Sequence, residues 1–278
     1  MSLAWVAVSV IGVVAVCVGL LWLARRSPFN ERFAREVREH DEAFEFLGVA
    51  YAVLLAFVVI SAYTSYNDAK SGAEAEAEAV LQLSRTAEAF SPEQLERLEG
   101  VLVCYGRAVI HDAWPAMEQG ESSALVNDWG TRFRQQALQT EADTFVQRAS
   151  FRQLLIEQDQ RIEGRRTRLA EAVRTVPEPM WLVLLLGAFL TIGWVILGSS
   201  RTGTFLVQAA VVASVAAMVA SVLFLVWFLD HPFANESGSI TPVEMEHVLE
   251  TIAHEAEGQH VEVAPPCTPE GDPLPSEI

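Results

Sequence analysis

Residues 46–62 read FLGVAYAVLLAFVVISA. No side chain in this stretch is charged. As a helix, its seventeen residues come close to the hydrocarbon thickness of a bilayer, roughly 30 Å. It leads without a break into a long polar segment rich in Ala and Glu, NDAKSGAEAEAEAVLQLSRTAEAF at 67–90. The stretch is therefore read as the hinge between a membrane bundle and a helical, water-facing body, and as the wall of any pore.

Three more stretches are as apolar. Leu3–Ala24 ends at Arg25-Arg26 and carries Trp5 and Trp22 at its two ends, where an amphipathic ring prefers the interface. A signal peptide would have its positive charge before the apolar run and a small-residue cleavage site after it, so this is read as a retained span. Spans three and four are Met180–Leu197 and Thr204–Leu229, and the short turn Ser199–Gly203 makes them an antiparallel hairpin. The expected class is all-α: four transmembrane helices with a helical soluble domain inserted between spans two and three. The expected boundaries are 1–63 for spans one and two with an Arg-rich connector, 64–179 for the soluble domain, 180–229 for the hairpin, and 230–278 for an acidic tail, disordered from about 263.

Half of the 278 residues are hydrophobic and the net charge is −17, which argues against a nucleic-acid partner, since phosphates need a basic face. No Lys or Arg follows Arg201. Cys17, Cys104 and Cys267 are odd in number and include no CxxC, so neither a disulfide framework nor a zinc site is signalled, and inert thiols are expected. No GxSxG, P-loop, HExxH or GxGxxG is present, and no catalytic residue or cofactor is indicated.

Inside the spans there is no Asp, Glu, His, Lys or Arg. Such residues usually carry proton or ion coupling, so their absence speaks against a proton-driven transporter. It is compatible with a pore closed by an apolar constriction. Val53, Phe57 and Ser61 form one stripe of span two and are the candidate pore neck; the alternative is ordinary helix packing. Ala209, Ala213, Ala217 and Ser221 recur every four residues on span four and predict a close helix contact.

In the soluble part, Ser91-Pro92-Glu93-Gln94 reads as a capped helix start, with the helix running to about Gln119. A further helix is expected over Ser123–Leu138, and another from Thr140-Glu141-Ala142-Asp143 to about Arg174. Leu95, Leu98, Leu102, Tyr105 and Val109, then Leu154, Leu155, Ile162 and Leu169, are the expected core positions. A last helix is expected from Pro242 to about Glu257.

Asp68, Glu74, Glu76 and Glu78 lie just outside span two and are candidates to ring a vestibule; the alternative is a solvated helix face. Arg161, Arg165, Arg166 and Arg168 form a basic cluster suited to anionic lipid or permeant anions, unless Glu157 pairs with Arg161. His247, Glu250 and His254 share a helix face, but seven residues separate the histidines by roughly 10 Å, too far for one metal without help. The short loops carry Arg25, Arg26, Arg32, Arg35, Arg38 and Arg201. The domain ends carry Lys70, Arg161, Arg165, Arg166, Arg168 and Arg174, so the positive-inside rule is tied.

Several segments together resemble the bacterial bestrophin-like integral membrane proteins: YAVLLAFVVISAY at 51–63, EAEAVLQLSR at 76–85, AWPAM at 113–117, RRTRLAEAVRTVPEPMW at 165–181 and LDHPF at 229–233. One departure is Ala113, where that family usually has an acid before Trp-Pro. The resemblance extends distantly to bestrophins, pentameric anion channels with four spans, a cytosolic helical domain and an apolar neck on span two. It implies a homo-oligomer in a bacterial inner membrane, with lipid and small anions as partners and the soluble domain and both termini cytoplasmic. Asp230 and Glu236 fall where bestrophins have a calcium clasp, but with Asp230 for the Asn and a shrunken acidic run, so calcium sensing does not carry over. The other function class is a membrane-anchored scaffold or sensor whose helical domain binds another protein.

Overall fold

The structure is a computed structural model that describes residues 3–26, 41–172, 175–198, 204–259 and 263–275. Most of the Arg-rich connector, the turn Ser199–Gly203, Arg174 and Arg201 lie outside the described residues. The described chain is all-α. Its helices are α1 (Leu3–Arg26), α2 (Asp41–Ala87), α3 (Pro92–Ala108), α4 (Trp114–Glu118), α5 (Ala124–Leu138), α6 (Phe145–Ala170), α7 (Glu178–Gly198), α8 (Phe205–Leu229) and α9 (Val243–Gln259). The chain divides into two compact units, Met1–Ser65 with Thr175–Asp230, and Tyr66–Arg174 with His231–Ile278. Helix α2 contributes to both.

The first unit holds α1, the start of α2, α7 and α8, and each of these four helices is long and apolar enough to cross a membrane. Their large side chains point outward as much as inward: Trp5, Phe57, Phe189 and Leu206 are exposed. That is what lipid rather than water as solvent permits. One core joins Tyr51, Leu55 and Val58 of α2 to Leu184 and Ala188 of α7 and Val219 and Val226 of α8. A second joins Cys17 and Leu21 of α1 to Ile196, Val212 and Ala216. On α8 the buried row is therefore Val212, Ala216 and Ala220; Ala209, Ala213 and Ala217 flank it half-buried, and Ser221 is exposed.

The second unit packs α3, α5 and α9 against the outer part of α2 and α6 around Leu83, Leu98, Leu102, Tyr105, Trp129, Phe133, Leu154 and Ile252. Ser91 caps α3 with the full reciprocal box to Gln94, as its sequence predicts. The helix expected to run on to Gln119 is interrupted: Val109–Ala113 is a single π-helical turn. Pro115, just inside α4, has no N–H to continue the ladder, which accounts for the slip. Helix α6 begins later than expected, because Thr144 and Gln147 form the capping box in place of Thr140.

Two expectations are overturned. Cys104 and Cys267 form a disulfide across 163 residues, leaving Cys17 as the free, buried thiol. The tail expected to be disordered from about 263 is packed over its described part, 263–275. Trp129 Nε1 donates to Gly271 O at 2.7 Å, Arg107 donates to Thr268 O at 3.2 Å, and Pro266 lies against Gly100. Gly271 has φ +94 and meets the backbone of Ala108 so closely that a side chain there would clash. Pro-rich composition signalled disorder, but prolines also stiffen a strap that a disulfide pins in place.

Candidate functional site

In the first unit, α2 has two faces. Tyr51, Leu55, Val58 and Ala62 are buried, and the Tyr51 hydroxyl donates to Leu184 O at 3.0 Å. Its ring lies over Gly187, where any Cβ would collide with it. The opposite face carries the predicted neck residues: Val53 is 50% exposed, Phe57 68%, and Ser61 is exposed as well. With Phe46, Val49 and Ile60 they make a continuous apolar surface that no other part of the described chain covers.

Asp230, just after α8, is buried, and its carboxylate is occupied. Oδ1 accepts from the Val176 backbone N–H at 2.8 Å, and Oδ2 accepts from Trp181 Nε1 at 3.4 Å. It anchors the entry into α7, where Pro177 starts the turn. Glu236 is half-buried in the second unit.

In the second unit, Asp68, Glu74 and Glu78 are exposed on α2, with Glu74 beside Lys70 at 3.6 Å and Glu78 accepting from Gln82. Glu76 is different: it is 1% exposed, and Arg168, 0% exposed, donates to it at 2.6 Å. The Tyr105 hydroxyl donates a second, short hydrogen bond to the same carboxylate. The Arg168 guanidinium also lies over the Trp114 ring and beside Met117 Sδ. Burial opposes its charge, but the field and hydrogen bond of Glu76 outweigh this and raise its pKa above the ordinary guanidinium value. Burial, aided by Glu76, raises that of Tyr105. The grouping of Glu76 with the exposed acids is thus corrected. It sits on the face of α2 carried by Ala69, Ala73, Ala77 and Val80, and that helical register was the available signal.

The approach is backbone-close. A Cβ on Gly72 would meet Arg168 N at 2.6 Å, and one on Gly164 would meet Glu76 N at 2.6 Å, so only glycines let α2 and α6 touch here. Trp114 completes the cluster, donating to Ile240 O at 3.0 Å and meeting Phe233 edge-on at 5.8 Å. Glu76, Trp114, Met117, Arg168 and Phe233 come from four of the segments that carry the resemblance, and here they form one knot in which Trp114 alone is half-buried.

A family model for the Bestrophin-like domain matches residues 11–241. The chain belongs to the Bestrophin-like family. Solved structures agree on the fold. This Bestrophin-like chain matches a bacterial bestrophin homologue from Klebsiella pneumoniae at TM-score 0.69 and 16% identity, over 90% of this chain and 99% of that one. A point variant of the Klebsiella homologue matches at TM-score 0.71, 15% identity, 90% and 99%. A structure described as a membrane protein matches at 0.68, 14%, 88% and 98%. No curated protein matches. Family and apolar helices together make it a membrane protein.

The remaining candidates are dispersed. Of the basic cluster, Arg161 and Arg168 are buried, Arg165 is half-buried and Arg166 is exposed. Glu157 Oε1 accepts from Thr86 and Gln153, while its Oε2 and Arg161 Nη1 both lack a hydrogen-bond partner, so the two side chains are not joined. Burial lowers the pKa of Arg165. Leu154 is core, but Leu155, Ile162 and Leu169 are only half-buried, because the buried side of α6 is polar: Glu157, Gln158, Arg161 and Arg168. His247 lies 3.4 Å from Glu250, both exposed, and no trio of His, Cys, Asp or Glu among the described residues is placed to hold a metal.

Proposed function

We propose that this Bestrophin-like chain assembles with copies of itself, as a pentamer, into a channel for small anions in a bacterial inner membrane. The observation that supports this is the uncovered face of α2. A span whose one side packs on α7 and α8 presents Val53, Phe57 and Ser61 on the other. Copies arranged about an axis would turn that stripe into stacked rings, and apolar rings exclude water and hydrated ions until the helices shift. Asp68, Glu74 and Glu78, exposed about two to five turns beyond Ser61 along α2, would line the approach. Asp230 acts as a positioning residue for the start of α7, and Glu236 stands as a second post-span acid.

The test is current through planar bilayers containing the purified full chain, with Phe57→Ala beside the parent. The parent is expected to pass small anions, and Phe57→Ala to pass more, since it widens the constriction. A silent parent and a silent variant would favour the other reading, a membrane-anchored scaffold whose helical unit binds a second protein. The oligomer in detergent separates them independently: a ring supports the pore, and a monomer opposes it. The resemblance implies a cytoplasmic side for the helical unit, and the Cys104–Cys267 disulfide argues against that side.

A further inference from the structure

Between α5 and α6, within the second unit, lies a cleft of about 290 Å³. Arg134, Arg161, Arg165 and Arg166 line it, and no acid does. In a chain of net charge −17 that concentration of positive charge is conspicuous. Arg161 is the informative member. It is 3% exposed, its Nε donates to Gln158 Oε1 at 3.1 Å, and its guanidinium lies 4.2 Å from the Tyr105 ring centroid. Nη1 is buried with no hydrogen-bond partner, and no carboxylate of the described residues bridges to it. Arg165 Nε is likewise buried and unpartnered, although its Nη2 donates to Ser123 O. A buried guanidinium without a counter-charge is costly, and leaving its donors unmade adds to the cost.

Gly130 forms the facing wall. A Cβ there would sit 3.2 Å from Arg161 Nη2 and 3.4 Å from Nη1, so it is the missing side chain that lets the guanidinium lie this close to α5. Four arginines lining one cleft, of which, among the described residues, only Arg166 has a carboxylate beside it (Glu163, 3.9 Å, exposed), suit a tetrahedral oxyanion, which accepts two-point contacts on more than one edge and carries more than one charge. We propose that this cleft binds a phosphate-type group, either as free phosphate or as the headgroup of a phospholipid.

The test is calorimetric titration of the full chain in detergent with inorganic phosphate, at constant ionic strength against chloride. Saturable binding with a Kd below about 1 mM is expected. Arg134 and Arg166 are exposed, so Arg134→Gln and Arg166→Gln keep the fold; each is expected to weaken binding several-fold, and both together more than tenfold. A short-chain, water-soluble phosphatidic acid distinguishes the sources. Binding at least tenfold tighter than phosphate assigns a lipid headgroup, and equal or weaker binding assigns the free ion. No heat from either probe up to about 10 mM, or heat unchanged in the double variant, overturns the site.

A different observation carries a second inference. Cys104 lies between spans two and three and Cys267 after span four, so their bond requires both segments to be on one side of the membrane. Structural disulfides persist on the oxidising side and are rare in a reducing cytoplasm. The short connectors on the opposite side hold Arg25, Arg26, Arg32, Arg35, Arg38 and Arg201, whereas no Lys or Arg follows Arg201. The inserted unit is too long a segment for the positive-inside bias to act on it as a whole. At its two ends, however, that unit carries Lys70, Arg161, Arg165, Arg166, Arg168 and Arg174, which balance the connectors, so the side is decided by the disulfide. We infer that the helical unit and the tail face the non-cytoplasmic side, opposite to what the resemblance implies.

Acid-quenched cells expressing the full chain, denatured and treated with a polyethylene-glycol maleimide, test the first half. One adduct, on Cys17, is expected without reductant and three with it. Fusions after Ile278 test the second half: alkaline phosphatase is expected to be active, and a green fluorescent protein exported unfolded to be dark. Three adducts without reductant, or a fluorescent fusion with inactive phosphatase, overturns the assignment.

Discussion

Replacing Glu76 with Gln keeps the shape of the side chain and an acceptor for the Tyr105 hydroxyl, but leaves Arg168 with no anion. Both groups are essentially sealed from water, at 1% and 0% exposure, so solvent screens little of the loss. Arg168 then has only the Trp114 face and Met117 Sδ, neither of which neutralises a charge. Removing one partner of a buried pair costs about 3–5 kcal/mol. For a unit of this size each kcal/mol shifts Tm by roughly 2–4 °C, so a fall of about 6–20 °C is expected. Arg168→Met strands the carboxylate instead and is expected to cost a similar amount. The double variant Glu76→Gln, Arg168→Met strands nothing, so it should fall short of the sum by about 2 kcal/mol or more. The assay is thermal unfolding of the full chain in detergent, followed by tryptophan fluorescence, with Trp114 and Trp129 reporting from this unit. If the single variants melt within about 2 °C of the parent, or the two effects simply add, the pair is not the keystone described. A changed bilayer current at unchanged Tm would instead return Glu76 to the vestibule.

Burial holds the Glu99 carboxyl above the usual carboxylate range, despite the Ser84 hydroxyl donating to it at 2.7 Å. The folded state therefore binds that proton more tightly than the unfolded one, and stability linked to it is full below the ordinary carboxylate pKa and lost as pH rises through the folded value. Glu99→Gln should accordingly raise Tm near pH 7 and give no gain near pH 4, as read by melting curves at the two values. Cys267→Ser opens a loop of 163 residues, worth about 5 kcal/mol if chain entropy alone counts, and should speed hydrogen exchange over residues 263–275 and α3. Ser91→Ala removes one half of the α3 capping box and should cost about 1 kcal/mol in urea unfolding, with Ser91→Gly costing less.

The two units were unequally legible. In the membrane unit apolarity is both the local signal and the global requirement, because lipid offers no partner for an exposed polar group, so spans such as Phe46–Ala62 and Phe205–Leu229 declare themselves. Caps are equally local, which is why Ser91 and Gln94 could be read four residues at a time. The second unit breaks the rule that polar means outside. Glu76 alternates with alanines in EAEAEA, and only its helical register tells it from Glu74 and Glu78, because its partner Arg168 lies 92 residues away. The same holds for α6, whose expected core of Leu155, Ile162 and Leu169 is displaced by a polar buried face. It holds again for Cys104 and Cys267, each unremarkable until a Pro-rich strap brings them together. What local pattern misses here is compensation: a charge or thiol whose partner is far along the chain reads as solvated or idle. The membrane unit contains no such pairs among Asp, Glu, Lys and Arg within its spans, and that is why its architecture could be read while the chemistry of the second unit had to be seen in three dimensions.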